Sequence, residues 1–205
     1  MTVRRIVVNL PTMIHAVLPA CPEHAPQIAD LIIVAMTPDC CLHFVGPDHT
    51  LDDFRLIMQQ LVAMDHSQYS YRNTLVCLHG SLVTGICVCY DGALLHTLRR
   101  PFIDAMRSRC GHDLSRMDDE TAPGELYIDS LAVLPAYRRQ GMASALLNAA
   151  AQRARSLSIP RVGLLVDQAN PAGQRLYARN GFRNVGETLW GGHPMYHLQR
   201  NILPA

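Results

Sequence analysis

The chain has 205 residues, which is long enough for one domain with a sizeable core. Hydrophobic residues make up 49% of it and charged residues 17%, a composition that excludes an intrinsically disordered protein. The formal net charge of +1 argues against a nucleic-acid-binding module, which usually carries a strong basic excess.

The seven cysteines are predicted to be reduced thiols of a cytoplasmic protein. Their number is odd and no Cys-x-x-Cys pair occurs, so a disulfide framework is not indicated. Cys77, Cys87 and Cys89 fall in strand-like runs and are expected in or near the core. The ten histidines are scattered and no His-Glu-x-x-His occurs, so no metal site is predicted.

Residues 1–12 are interpreted as an N-terminal lead-in and residues 13–205 as a single domain. The lead-in contains two arginines and an apolar patch, but Asn9, Pro11 and the following His15 interrupt it, so a secretion signal is not favoured. No apolar run approaches the ~20 residues that a membrane-spanning helix needs. The most apolar stretch, IADLIIVAM, contains Asp30.

One strand and two helices are predicted before residue 65. The strand covers residues 13–17. The first helix opens at Pro22 and ends before Pro38, and the second is capped by Thr50. Residues 40–47, between the helices, are expected to form a loop. Apolar residues follow the helical period in both helices, at Ile28, Leu31, Ile32 and Ala35 and at Leu51, Phe54, Ile57, Met58 and Leu61.

A β-hairpin and an additional helix are predicted next. Residues 73–78 and 82–90 are rich in β-formers and are separated by a tight-turn signal around Gly80. Pro101 is expected either to start the additional helix or to kink it. This inserted helix either packs on the sheet or serves as a lid or a subunit contact, and the acidic residues 118–120 follow it. Its apolar residues recur at helical spacing: Leu95, Leu98, Phe102 and Met106.

A strand, a turn and a helix follow in residues 126–158. The strand LYIDSLAV is closed by Pro135, and the basic turn RRQGMA leads into the helical run ASALLNAAAQRARSL. A helix N-terminus leaves backbone N–H groups without internal partners and carries roughly half a positive charge. Because Gly141 allows close approach to the backbone, the sequence predicts an anion-binding site here. The turn lacks the Gly-Lys-Ser/Thr of a P-loop and the several glycines of a dinucleotide fingerprint.

The last part of the chain predicts a strand, a short helix and a hairpin. The run RVGLLVD, residues 161–167, is typical of a buried strand. Asn170 is a plausible N-cap with Pro171 at the first helical position, and Gly181 ends the helix. Residues 182–189 and 195–200 are expected to pair across a loop at residues 190–194.

Arg138, Gly141 and Ala143 stand in the register of a known motif. Preceded by LAVLPAYR and followed by NPAGQRLYARNGF, they resemble the acetyl-CoA-binding motif of the GNAT superfamily of N-acetyltransferases, Arg/Gln-x-x-Gly-x-Gly/Ala after a strand. The resemblance covers residues 13–200 and is strongest over residues 125–187. It implies an α/β fold with a mixed, mostly antiparallel sheet of about seven strands flanked by helices, with the extra helix inserted before the central strand.

The resemblance also implies an activity, the direct transfer of an acetyl group from acetyl-CoA to an amine in a ternary complex. In that family the central strand separates from its neighbour and pairs with the pantetheine arm, which here assigns the backbone of Leu131, Ala132 and Val133. Asn170 would touch the pantetheine, and Tyr177 would contact the cofactor and protonate the departing thiolate. The phosphate cradle would comprise Arg138, Arg139, Gln140, Gly141, Met142, Ala143 and Ser144.

The sequence leaves the general base open. Read by strand alternation, Glu125, Tyr127 and Asp129 share one face of the central strand if no bulge intervenes. The resembled family places a base, or a residue that holds a water chain, at the positions of Asp129 and Tyr127. Asp129 is the first candidate and Glu125, acting through water, is the second. Asp129 is alternatively a structural or substrate-orienting carboxylate.

The acceptor is predicted only as an amine on a small molecule or a peptide. No nucleic-acid or membrane partner is predicted, and a homodimer is compatible with the sequence. The alternative function is a non-catalytic acyl-CoA-binding sensor or partner module, which would need neither Tyr177 nor the strand carboxylates. A covalent cysteine mechanism is disfavoured, since no cysteine lies in residues 126–182. The candidates that line the acceptor site are Tyr69, Tyr71, Tyr127, Trp190 and His193.

Overall fold

Seven strands form one mixed sheet in the computed structural model, which describes residues 16–202. The order across the sheet is β1-β2-β3-β4-β5-β7-β6, and every neighbouring pair is antiparallel except β4 and β5. The predicted sheet is therefore confirmed. The strands are β1 (Val17–Pro19), β2 (Thr74–His79), β3 (Leu82–Asp91), β4 (Leu126–Val133), β5 (Arg161–Asp167), β6 (Arg183–Trp190) and β7 (His193–Asn201).

Two strand predictions differ from the structure at their boundaries. The predicted lead-in and the start of the first predicted strand lie outside the described residues, and the described β1 begins at Val17. The last hairpin has a shorter loop than expected, because Trp190 and His193 belong to the strands. Gly191 and Gly192 alone make the turn, with φ angles of +57° and +81°. Two consecutive glycines with positive φ are typical of a two-residue hairpin turn, and the pair Gly191-Gly192 is the local sequence signal for it.

Six α-helices flank the sheet within the described residues. The loop predicted over residues 40–47 is wrong, because most of it belongs to a second short helix. The first helix ends before Thr37, whose φ of +75° is not helical. Pro38 then occupies the first turn of the next one, where its missing N–H costs nothing. The helices are α1 (Ala25–Met36), α2 (Pro38–Val45), α3 (Leu51–Ala63), α4 (Leu95–Cys110), α5 (Met142–Ser156) and α6 (Pro171–Arg179).

Hydrophobic residues pack on both faces of the sheet, so its central strands are buried on two sides. Alternate residues of β3 show the division, since Ile86 and Val88 face one core and Cys87 and Cys89 face the other. The first core is formed with α1, α2, α3 and α4. The second is formed mainly with α5, whose Leu146 is fully buried.

The inserted helix α4 packs on the first core and carries a buried cation. Pro101 lies inside the helix rather than at its start, and Phe102 and Met106 are fully buried. Arg99 is 2% exposed and forms an ion pair with Glu120, whose carboxylate also accepts a hydrogen bond from the Tyr90 hydroxyl at 2.9 Å. The insertion is thereby attached to β3 through a buried polar network.

Within residues 16–202, no single helix is long and apolar enough to cross a membrane. The segments 22–36 and 38–45 reach that length and composition only when joined across a bend of 104°. Most of their large apolar side chains, among them Ile28, Ile32 and Phe44, are buried in the first core.

A second buried polar network joins Glu125, the residue before β4, to side chains of β7 across β5. Glu125 is 2% exposed and accepts hydrogen bonds from His197 Nε2 at 2.9 Å, Gln199 Nε2 at 2.7 Å and Thr121 Oγ1 at 2.6 Å. Its carboxylate lies directly over Gly163 of β5. The network can cross β5 only because Gly163 has no side chain.

We expect Gly163→Ala to destabilise the fold by at least ~2 kcal/mol, because overpacking and the loss of buried hydrogen bonds act together. A Cβ at this position would stand 1.8 Å from Glu125 Oε2. Gly186→Ala on β6 is the matched control, since a Cβ there meets nothing within 4 Å. Urea unfolding of both variants measures the difference, and equal stabilities would contradict the packing described.

Candidate active site

The parallel strands β4 and β5 pair only at their beginnings. Leu126 is opposite Val162 and Tyr127 is opposite Gly163, and the ladder in the described chain extends no further. From Ile128 onward β4 is paired on the β3 side alone, whereas β5 continues beside β7 as far as Asp167. The sheet is therefore split between its two central strands, and backbone groups of β4 line the split.

A β-bulge lies in β4 where the split begins. Ser130 is opposite Val88 and Ile128 is opposite Cys89, so Asp129 is the extra residue. The bulge reverses the alternation along the strand. Leu126 and Ile128 pack in the second core before it, and the odd-numbered Leu131 and Val133 pack there after it. The prediction that Glu125, Tyr127 and Asp129 share one face required a strand without a bulge, and this condition is not met. Bulges of this kind change the direction of side chains beside active sites.

The turn after β4 presents the N-terminus of α5 to the split. Gly141 has a φ of +88° and Arg139 a φ of +61°, which curl the backbone into the first turn of the helix. Arg138 Nε donates a hydrogen bond to the carbonyl of Val133 at 2.9 Å and so fixes the turn to the end of β4. In the described residues no side chain caps this end of α5. The N–H groups of residues 142–144 therefore remain available to an anion.

A cavity of about 490 Å³ occupies the split and the turn. It brings together all the predicted cofactor-contact residues except Gln140, which is exposed beside it. Sequence reasoning missed Val34 and Ala35 of α1, because nothing in an apolar helical run marks the residues that reach a distant cavity. The small Ala172 and Gly173 beside Asn170 could have been noticed. The other lining residues are Leu131, Ala132, Val133, Tyr137, Arg138, Arg139, Gly141, Met142, Ala143, Ser144, Asn170, Leu176, Tyr177 and Arg179.

Asn170 caps α6 at one wall of the cavity. Its Oδ1 accepts a hydrogen bond from the backbone N–H of Gly173 at 2.9 Å, as the sequence predicted for an N-cap. A Cβ on Gly173 would lie 2.8 Å from the Asn170 Nδ2 atom. Gly173 therefore leaves space for the amide of Asn170, whose NH₂ group is not used by the cap.

Tyr177 lies on α6 in the same wall and is held by its neighbours. Its ring meets Phe182 edge-on, with centroids 5.8 Å apart. Burial raises the pKa of the Tyr177 hydroxyl to about 12, and the nearby Cys87 adds to this. The hydroxyl therefore stays protonated throughout the neutral range and can act as a hydrogen-bond donor.

Asp129 and Glu125 have opposite environments although they are four residues apart. Burial raises the pKa of Asp129 to about 6, against hydrogen bonds from Ser130 Oγ at 2.8 Å and Gln68 Nε2 at 3.1 Å and the charge of Arg99. Burial acts the same way on Glu125, but the hydrogen bonds from His197, Thr121 and Gln199 outweigh it and lower the pKa. Asp129 is therefore the carboxylate whose pKa is raised towards neutrality, and neither Asp129 nor Glu125 is among the residues that line the cavity.

The predicted acceptor-site residues lie in different places. Tyr127 and Tyr69 are buried, Tyr127 against Tyr90 and Tyr69 against Phe102, with ring centroids 5.8 Å and 5.5 Å apart. Tyr71 donates to the carboxylate of Asp65 at 2.6 Å on the surface. None of these tyrosines is among the residues that line the cavity.

The tip of the last hairpin closes over the helices of the first core. Trp190 packs against Phe44 of α2, with ring centroids 6.3 Å apart, and its buried Nε1 has no hydrogen-bond partner in the described structure. His193 is largely exposed, with Nδ1 3.6 Å from Asp167 Oδ2. Gly191 donates its N–H to Asp118 Oδ2 at 3.3 Å, which joins the tip to the acidic loop after α4. Trp190 and His193 therefore flank the face of the sheet opposite α5.

Comparison with known proteins gives a consistent result. The family model for the acetyltransferase (GNAT) family matches residues 66–182, which is more than half of the chain. No curated protein matches the sequence. A solved structure described as an acetyltransferase is 26% identical, covers 92% of this chain and 100% of its own, and superimposes with a TM-score of 0.76.

Two further structures share the fold. N-acetyltransferase from Staphylococcus aureus Mu50 is 24% identical, with a TM-score of 0.73 and coverage of 90% of this chain and 99% of its own. The yncA protein of Salmonella typhimurium, solved with its cofactor acetyl-CoA, is 16% identical, with a TM-score of 0.55 and coverage of 94% and 96%. The chain belongs to the GNAT family and is an N-acetyltransferase.

Asp129→Asn should raise the unfolding free energy by about 1–2 kcal/mol at pH 7.5. The native pKa of about 6 lies above the ordinary value, so the folded state binds the proton more tightly, and the ionised carboxylate costs stability above pH 6. The gain should vanish as the pH falls to ~4, where Asp129 is protonated in both states. Urea unfolding at several pH values, with the exposed Asp48→Asn as control, checks this; a destabilised variant at pH 7.5 would contradict it.

Proposed function

We propose that this enzyme transfers the acetyl group of acetyl-CoA directly to an amine of a small molecule or a peptide, within a ternary complex. One observation carries the proposal: the cavity joins the split between β4 and β5, the N-terminus of α5 and the hydroxyl of Tyr177. A thioester that enters this cavity would have its phosphates at the helix and its acyl end at the split.

Binding of acetyl-CoA would use backbone groups more than side chains. The N–H groups of residues 142–144 would take the pyrophosphate, with Arg138 and Arg139 adding positive charge at the mouth. The unpaired edge of residues 131–133 would bond the pantetheine arm as a neighbouring strand would. One N–H of this edge would polarise the thioester carbonyl, which stabilises the negative charge that develops on its oxygen.

The reaction forms a C–N bond and breaks a C–S bond. The neutral amine attacks the thioester carbon, and its nitrogen becomes positively charged in the tetrahedral intermediate. Asp129 accepts the surplus proton from that nitrogen, for which a carboxylate that is ionised above pH 6 is suitable. The C–S bond then breaks, and CoA leaves as the thiol after protonation of its sulfur.

Tyr177 would donate a hydrogen bond, and then the proton, to the departing sulfur. In water a thiol has a pKa of ~8.5, well below the value of about 12 for Tyr177, so transfer to a solvated thiolate would be unfavourable. Burial removes that difference, as the thiol of Cys41 in this protein illustrates, since burial and the adjacent Cys40 raise its pKa to about 12. Exclusion of water from the cavity by bound acetyl-CoA would therefore favour proton donation by Tyr177.

The remaining assignments are proposed on narrower support. Glu125 remains the second candidate for the base, although its carboxylate already accepts three side-chain hydrogen bonds. We place the enzyme in the cytoplasm, for which its seven free thiols are the support. A homodimer is supported by Val185 and Leu189 on the edge strand β6, which are 55% and 65% exposed.

Gly141→Asp is expected to weaken acetyl-CoA binding by at least about a hundredfold, because a carboxylate beside the phosphates costs several kcal/mol. Calorimetric titration with acetyl-CoA measures the dissociation constant. Gly80→Asp is the matched control, since Gly80 also has positive φ, with nothing within 4 Å of an added Cβ, and lies outside the cavity. Wild-type affinity in Gly141→Asp would overturn the cofactor-site assignment.

Tyr177→Phe is expected to lower the maximal rate about a hundredfold or more while changing acetyl-CoA affinity little, because the lost hydroxyl acts on the leaving group. Thiol release from acetyl-CoA over a panel of small amines and peptides reports the rate and identifies the acceptor class. Tyr196→Phe, a half-buried tyrosine outside the cavity, is the control. An unchanged maximal rate would remove Tyr177 as the acid; binding without turnover on any amine would favour the sensor function.

A further inference from the structure

Gln68 is a buried polar residue in contact with Asp129. Its side chain is 1% exposed, and Nε2 donates a hydrogen bond to Asp129 Oδ2 at 3.1 Å. The other end of the amide, Oε1, is buried and has no hydrogen-bond partner within residues 16–202. A buried amide oxygen without a partner costs about 1–3 kcal/mol, so this arrangement is not the one that stability alone would select.

The carboxylate of Asp129 fixes the orientation of the Gln68 amide. If the amide were reversed, its oxygen would face the ionised Oδ2, and two hydrogen-bond acceptors would repel each other. The observed orientation satisfies the carboxylate and leaves Oε1 unpartnered. The contact therefore favours the orientation of Asp129 at the expense of Gln68.

The inserted helix holds the backbone of Gln68. The backbone N–H of Gln68 donates a hydrogen bond to the carbonyl of Leu98 in α4 at 2.8 Å. The backbone carbonyl of Gln68 accepts one from Asn73 Nδ2 at 3.4 Å. The next residue, Tyr69, is buried against Phe102 of the same helix. α4 thus determines where the amide of Gln68 stands relative to the bulge in β4.

We propose that Gln68 is a positioning residue, which holds the carboxylate of Asp129 towards the reacting amine, and that the inserted helix α4 serves to hold Gln68. This inference rests on the proposed function, because it concerns the same base. It gives the insertion a defined role, which its sequence left open between simple packing and a lid or subunit contact.

The charges around Asp129 leave Gln68 with a direct influence on its proton affinity. The titratable groups that interact electrostatically with this carboxylate are Cys40 of α2, Tyr69, Tyr90 of β3, Tyr127 of β4 and Arg99 of α4. The thiol and the phenols are neutral at pH 7, because burial raises the pKa of each. Arg99 is already paired with Glu120 and Asp119.

Gln68→Met removes the hydrogen-bond donor and the unpartnered oxygen while keeping the length of the side chain. We expect the titration midpoint of Asp129 to rise by about one pH unit, the value of one hydrogen bond to a carboxylate. We expect the urea concentration at the unfolding midpoint to stay close to that of the wild type, because the unpartnered oxygen is lost as well. A merely structural Gln68 would produce destabilisation without the titration shift.

The test has one arm that needs no acceptor. Infrared titration of the carboxyl stretch, identified as the band that Asp129→Asn removes, gives the midpoint directly. We expect the titration midpoint to rise from the wild type to Gln68→Met and further to Gln68→Glu, in which two adjacent carboxyls share a proton. Gln27→Met is the control, since that glutamine bonds Ser81 and Val83 outside the cavity. An unchanged midpoint in both Gln68 variants would overturn the inference.

The second arm measures kcat/KM against pH with acetyl-CoA and the amine or peptide of the panel that releases thiol fastest with the wild type. Gln68→Met should shift the acidic limb of the kcat/KM profile to higher pH, again by about one pH unit. It should also lower the high-pH plateau by about tenfold, because the base is no longer oriented. A plateau equal to the wild type would overturn the positioning role. If no amine or peptide of the panel releases thiol even with the wild type, the proposed amine acylation fails, whereas the infrared arm still decides on the contact.

Discussion

The parallel pairing of β4 with β5 ends after two residue pairs, and the rest of the site depends on where it ends. If the ladder continued, its hydrogen bonds would use the edge of β4 that lines the cavity, and no space would remain between the strands. β4 keeps its position without this partner because it pairs with β3 along its length and is packed on both faces. The opening thus costs the sheet a few backbone hydrogen bonds, and an extended ligand can replace them.

The pKa values of Glu125 and Asp129 differ because of their environments rather than their residue types. Glu125 precedes the strand where β4, β5 and β7 are still side by side, so donors from β7 reach it across Gly163. Asp129 stands at the bulge, where the partner strand is gone and its donors are Gln68 and Ser130. The carboxylate of Glu125 accepts hydrogen bonds from three side chains, which lower its pKa. The carboxylate of Asp129 is destabilised when ionised, which raises its pKa to about 6 and suits the proposed role of a base.

Local signals allowed much of the fold to be predicted, and nearly all the residues proposed for the cofactor line one cavity. The turn at Gly141, the N-cap at Asn170 and the order of strands and helices depend on residues close together in sequence. The bulge at Asp129 depends on its register with β3, and two partners of Glu125, His197 and Gln199, lie more than seventy residues away. Val34 and Ala35 reach the cavity only through packing of α1, and the role of Gln68 depends on contacts with both β4 and α4. No local pattern marks such long-range contacts.

Amide hydrogen exchange, measured with and without acetyl-CoA, tests the central claim that the open edge of β4 and the first turn of α5 hold the cofactor. The account predicts slower exchange on binding at the amides of residues 131–133 that face β5 and at residues 142–144, with β6 unchanged. Protection confined to other segments, or none at saturating acetyl-CoA, would contradict it.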